Sequence, residues 1–132
     1  MIDYSVAEEL AEVVRALAIA ESGENPHQVG DGGRAYGLLQ MHPATFKRYY
    51  GTYPQGRFAP AVSDTWAAAE IKACAAFLEW HGYDADGQEQ KDLIIQAWNL
   101  GEAAVFLEHR RNAMYLGRFL AALERVRGVN AK

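Results

Sequence analysis

A mostly α-helical domain is what this sequence predicts, and three observations predict it. Apolar residues recur at spacings of three and four along much of the chain, which is the repeat of a helix face. Glycine and proline gather in two stretches, 30–37 and 51–60, that read as loops. No run alternates apolar and polar residues for long enough to predict a strand. At 132 residues the chain is sized for one domain spanning 1–132, able to bury roughly two-thirds of its unfolded surface. The expected architecture is five or six helices without internal repeats or a linker.

The first helix is expected from Val6 to Ala20. Ser5 and Glu8 form a capping box, and Val6, Leu10, Val13, Val14 and Leu17 supply the apolar face. Ser22-Gly23 stops it. Gly30 to Gly37 holds four glycines in eight positions, too many for a regular element, so a shaped loop is expected. Pro43 fits the first turn of a short helix over 44–50, and Gly51, Pro54, Gly56 and Pro60 then mark a long connection. Ser63 or Asp64 caps a helix running to about Trp80, with Trp66, Ala69, Ala73, Phe77 and Trp80 as its apolar positions and Gly82 as its stop. Helical patterning resumes near Gln88, pauses at Asn99-Leu100-Gly101, restarts through Phe106, and returns from about Asn112 to Val126.

Charge narrows the function classes. The net charge is −4, yet residues 1–107 hold 7 Lys and Arg against 15 Asp and Glu, while residues 108–132 hold 6 against 2. An acidic body argues against a nucleic-acid binder, and Arg110, Arg111, Arg118, Arg125 and Arg127 read as a solvated helix surface. No apolar run is long enough to span a membrane, and residues 1–20 carry four acids and one arginine, unlike a secretory leader. A protein without membrane insertion, without its own export address and monomeric is therefore expected. Cys74 is the single cysteine, which excludes an internal disulfide, and its place on an alanine-rich face with Glu70 and Phe77 reads as a buried, inert thiol.

Glu21 is the residue with the clearest chemical promise. It follows Leu17 by four, so its carboxylate continues the apolar stripe of the first helix. Desolvation and the negative end of the helix dipole both disfavour its charged form, which is what a general acid near neutral pH requires. The same pattern also fits a carboxylate solvated at a fraying helix end. Other motifs carry less. The glycines at 30, 32, 33 and 37 miss a dinucleotide-binding spacing, and Asp84-Ala85-Asp86-Gly87 lacks the glutamate that closes a calcium loop. His27, His42, His81 and His109 lack metal-ligand spacing, so no metal or cofactor is expected and they read as surface or packing residues, with His42 able to rim a cleft. Tyr49, Tyr50, Tyr53 and Phe58 crowd the second loop, where they stack on sugar rings or pack the loop against its own body.

Three blocks, taken in order, point further: Glu21-Ser22-Gly23, then Gly37-Leu38-Leu39-Gln40-Met41-His42-Pro43, then Ala97-Trp98-Asn99-Leu100-Gly101. Together the chain resembles the lysozyme-like superfamily of peptidoglycan-cleaving enzymes, above all soluble lytic transglycosylases and their phage relatives. Their blocks read Glu-Ser, Gly-Leu-x-Gln-x-x-Pro and Ala-Tyr-Asn-x-Gly. Tyr115-Leu116 resembles a fourth, weaker block. The resemblance implies five to seven helices around a glycan-binding cleft, and cleavage of the β-1,4 bond between N-acetylmuramic acid and N-acetylglucosamine in peptidoglycan strands. It implies Glu21 as catalytic acid/base, Gly37 and Gln40 in the cleft floor, and Asn99 as an amide meeting substrate. Trp98 stands where the family has tyrosine, so a phenolic partner for the acid would come from elsewhere, Tyr115 being the candidate. Asp31 stands where transglycosylases often have serine, and Gly30-Asp31-Gly32-Gly33 is similar instead to the Gly-Asp-x-Gly turn of goose-type lysozymes. If Asp31 orients a water, hydrolysis follows; if it only shapes its turn, Glu21 works alone and a 1,6-anhydro product follows. Glu24 is a weaker second carboxylate. Action at the cell wall, as in phage-type lysis, fits a muramidase or lytic transglycosylase, and a catalytically silent glycan-binding module or a helical interaction protein are the other classes.

Overall fold

The computed structural model describes residues 7–25, 28–51, 64–83 and 87–130. It is mostly helical, as the spacing predicts. The elements in order are α1 (Ala7–Ser22), β1 (Val29–Gly30), a 3-10 turn (Asp31–Gly33), β2 (Ala35–Tyr36), α2 (Pro43–Tyr50), α3 (Asp64–Tyr83), α4 (Gly87–Leu100), a π-helical turn (Ala103–Leu107) and α5 (Ala113–Asn130). Ser5, Val6, His27, Tyr53, Phe58 and Ser63 lie outside the described residues, as does most of the Asp84–Gly87 turn. The side chain of Trp66 is also undescribed. Among the described residues no helix is long and apolar enough to cross a membrane.

The chain divides into two compact units: Leu17–Phe77, and Met1–Ala16 together with Leu78–Lys132. In the Leu17–Phe77 unit the buried side chains come from the second half of α1 (Leu17, Ala18), from Leu39, Met41 and Phe46, and from α3 (Ala69, Ala73, Cys74, Phe77). Gly23, in the left-handed conformation with φ 65°, ends α1 and donates its N–H to the Ile19 carbonyl. The glycine-rich segment is more regular than its composition suggests. β1 and β2 pair antiparallel with Val29 opposite Tyr36 and Gly30 opposite Ala35, and Tyr36 bridges on to Met41. Two-residue strands carry no alternation a sequence reading can detect, which is why this hairpin reads as a loop. Pro43 opens α2, and Gly51 at φ 105° closes it with its N–H on the Lys47 carbonyl. On α2, Tyr49 sets its ring edge against Phe77 with centroids 5.3 Å apart, and Phe46 meets Tyr50 at 5.2 Å. Packing, one of the two roles open to Tyr49, is the one observed; Tyr50 is half exposed.

In the other unit α5 turns Tyr115, Phe119, Ala122, Leu123 and Val126 inward, and the first half of α1 and α4 supply Val13, Ala16, Ile94 and Ile95. Burying each large apolar side chain contributes roughly 1.5–3 kcal/mol. The basic residues of α5 are partly spoken for: Arg127 reaches Glu9 and Glu12 of α1 at 3.9 and 3.7 Å, and the Arg118 guanidinium lies 5.8 Å over the Tyr115 ring.

Trp80 corrects the expected core. It is 60% exposed, because the buried stripe of α3 advances through Cys74, Phe77, Leu78 and His81 and leaves Trp80 off its edge. His81, a packing histidine as expected, is buried with Nε2 3.3 Å from Glu102 and its ring stacked on Phe106. α3 also runs through Gly82 to Tyr83, beyond its expected stop.

Candidate active site

The Leu17–Phe77 unit holds four of the expected site residues: Glu21, Asp31, Gly37 and Gln40. Glu21 is half-buried on the last turn of α1, one turn after the fully buried Leu17. Its neighbour Ser22 ties that helix end to the turn following β2. The Ser22 hydroxyl donates to the Leu38 carbonyl at 2.6 Å, and its oxygen accepts the Asn25 N–H at 3.1 Å. The first and second blocks of the sequence thus meet through one hydrogen bond.

The turn 37–40 is held from beneath by Glu70, which shares its helix face with Cys74 and Phe77. Glu70 of α3 is fully buried, and its two carboxylate oxygens accept the N–H groups of Leu38 at 3.2 Å and Leu39 at 3.0 Å. Burial pushes its pKa up to about 7, against which the Leu39 and Leu38 hydrogen bonds pull in the opposite direction. Gly37 explains itself by this contact. A Cβ there would lie 2.6 and 2.7 Å from the Glu70 oxygens, and its φ of 83° suits glycine. The group that approaches the Gly37 backbone most closely is the protein's own Glu70 carboxylate.

Gln40 is likewise committed. Its Nε2 donates to the Gln28 and Gly37 carbonyls, each at 2.9 Å, and its Oε1 crowds Gly30, where a Cβ would collide with it. The side chain therefore clamps the hairpin to the turn. Asp31, with φ 50°, stands at the hairpin tip; its Oδ2 is 2.9 Å from His42 Nε2 and its Oδ1 is 3.9 Å from an Arg34 nitrogen. A side chain 52% exposed is thus held by a histidine, a pairing the sequence spacing does not reveal.

Cys74 lies one turn beyond Glu70 on α3. Burial drives its thiol pKa well above the usual value, and the charges of Glu21 and Glu70 push the same way.

The other unit carries Trp98, Asn99 and Tyr115. Trp98 and Asn99 are on the last turn of α4, half-buried and exposed respectively, and Tyr115 is buried in the first turn of α5. Asn112 organises them. Its Oδ1 accepts the Tyr115 N–H at 3.0 Å, capping α5, its Nδ2 donates to Asn99 Oδ1 at 2.8 Å, and its own N–H donates to Gln96 Oε1 at 2.8 Å. After Gly101, at φ 98°, the chain makes its π turn, with the Glu108 N–H on the Ala103 carbonyl.

Glu70 supplies a pH prediction. Its folded-state pKa lies above the unfolded value of 4.5, so the native state binds the extra proton between about 4.5 and 7. Stability from this group is present at low pH and is lost as pH rises through that window, by on the order of 3 kcal/mol. Chemical denaturation of wild type and Glu70→Gln from pH 4.5 to 8 is expected to show that loss as a difference between the two proteins. Parallel stability curves would contradict it.

No curated protein and no solved structure matches the chain. A family model described as the Transglycosylase SLT domain matches residues 5–115, a span that contains Glu21-Ser22, the Gly37–Gln40 turn, Asn99 and Tyr115. With most of its length covered by that model, this mostly helical chain belongs to the transglycosylase SLT family of the lysozyme-like superfamily.

Proposed function

We propose that the protein cleaves the β-1,4 bond between N-acetylmuramic acid and N-acetylglucosamine by lytic transglycosylation, acting at the cell wall as a monomer with Glu21 as its acid/base. The observation that carries this reading is the placement of Glu21: a half-buried carboxylate at a helix end, fastened through Ser22 to the Gly37–Gln40 turn. Family membership supports the substrate class, since SLT domains act on peptidoglycan.

The chemistry follows from a single carboxyl group. Protonated Glu21 gives its proton to the glycosidic oxygen as the bond to the muramic C1 breaks, and the N-acetylglucosamine side leaves as an alcohol. The oxocarbenium-like centre is met by the substrate's own acetamido group. The Glu21 carboxylate then takes the proton of the C6 hydroxyl while O6 bonds to C1 and the acetamido oxygen leaves it, which closes a 1,6-anhydro ring, frees the acetamido group and restores the acid. No water is consumed. Asn99 and Trp98 are proposed to meet the glycan, and Tyr115 to support that end of α4. Gly37 and Gln40 are proposed to shape the cleft floor.

Asp31 favours this route over hydrolysis through its engagement with His42 and Arg34, which suits a residue fixing its own turn. Hydrolysis remains the second reading because half of that side chain is open to solvent. Purified peptidoglycan treated with the protein, followed by turbidity and by mass analysis of the released fragments, separates the readings. Fragments lighter by one water, with Asp31→Asn keeping most of the activity, are expected. Free reducing ends together with a roughly 10²-fold slower Asp31→Asn variant would establish hydrolysis, and unchanged turbidity with wild type would leave a glycan-binding module.

A further inference from the structure

We propose that Glu70 is a positioning residue for the reaction: from inside the unit it fixes the Leu38 and Leu39 peptides and, through Leu38 and Ser22, the helix end that carries Glu21. The inference rests on Glu21 being the acid. Its path is short and continuous. Glu70 Oε2 accepts the Leu38 N–H, the carbonyl of the same residue accepts the Ser22 hydroxyl, and Ser22 is the residue after Glu21. The second carboxylate oxygen takes the Leu39 N–H, so two successive peptides are gripped by one rigid group. Gly37 lets the carboxylate come that close.

A carboxylate suits this task better than any neutral side chain. Two parallel N–H donors need two acceptors, and a glutamine would set its NH2 against one of them. A core position chosen for packing alone would not hold a fully buried acid, because desolvation opposes it. Glu70 touches no reacting atom, being 0% exposed, so its influence must pass through the turn. On its own helix Cys74 feels the charge of Glu70 and that of Glu21, and the 37–40 turn offers Glu70 backbone N–H groups.

The test measures peptidoglycan turnover at several wall concentrations for wild type, Glu70→Gln, Ser22→Ala and the double variant. Glu70→Gln is expected to lower kcat about tenfold or more with KM within about twofold, because a small displacement of the acid costs turnover. The double variant should lose less than the product of the single losses, since both act through Leu38. A Glu70→Gln enzyme with kcat within about twofold of wild type, or fully multiplicative losses, would overturn the proposal. A second measurement needs neither activity nor a folded variant: amide resonances of Ser22, Leu38 and Leu39 followed by NMR in wild type from pH 5 to 9. Shifts at all three with a common midpoint near neutrality are expected, and shifts confined to Leu38 and Leu39 would overturn the link to the acid. A wild type that leaves peptidoglycan intact while all three amides shift together would refute the glycosidase reading and sustain the linkage.

Discussion

Glu21→Gln is expected to abolish peptidoglycan cleavage, slowing it by about 10³-fold or more, because it removes the proton donor at nearly constant shape. The amide can neither protonate the leaving oxygen nor later accept the C6 hydroxyl proton, so both halves of the proposed reaction fail together. The fold should be indifferent or slightly favoured. Glu21 is half-buried at a helix C-terminal end, where a negative charge opposes the dipole, and a neutral isostere relieves that repulsion. Turbidity loss of purified walls, read beside circular dichroism and thermal unfolding, checks both parts. A folded variant within a few-fold of wild-type activity would remove Glu21 from the chemistry and with it the proposed mechanism.

Gly37→Ala should be the most damaging small substitution in the Leu17–Phe77 unit. Two penalties coincide there. A φ of 83° costs an L-residue on the order of 1–2 kcal/mol, and the new Cβ would stand 2.6 Å from Glu70 Oε1. To escape, the carboxylate must retreat from the Leu38 and Leu39 N–H groups and leave buried polar groups poorly matched, for a combined loss of about 3–5 kcal/mol. Against a domain stability of about 5–15 kcal/mol that is a large share. Gly32→Ala is the control: its φ is 65° but a Cβ there meets nothing within 4 Å, so only the backbone penalty applies. Denaturant unfolding of the two variants should differ by about 2 kcal/mol or more, and equal losses would show that Glu70 yields without cost.

How much of this was legible in the sequence depends on the range of the interaction involved. Periodicity carried α1, α2, α4 and α5 to within a few residues of their ends, because the signals are local: Gly23 after Ser22, Pro43 at the start of α2, Asn112 before α5. The π turn has no such signal, and its surroundings read simply as a helix that restarts. Trp80 failed for a matter of phase. Successive helix residues turn by about 100°, and with Phe77, Leu78 and His81 inward the tryptophan falls outside their stripe. Glu70 shares a helix face with Cys74 and Phe77 in the sequence, and an acid on an apolar stripe is itself a signal. Its partners, Leu38 and Leu39, lie more than 30 residues earlier, however, so nothing local reveals what the charge is for. The same distance hides Gly37's purpose: the sequence shows a glycine in a turn, and only tertiary structure shows that Glu70 closes on it.

The Cys74 thiol has a consequence in time as well as in space. Buried completely and flanked by the charges of two acids, it is kept in its protonated, unreactive form while the unit is closed. Thiol-directed reagents and oxidants can therefore react with it only during excursions in which α3 parts from its neighbours. Each such event would also release the peptides gripped by Glu70. The cysteine works as a clock for those openings: its rate of modification counts how often the scaffold behind Glu21 comes undone, and a long-lived free thiol is the mark of an acid whose supports seldom let go.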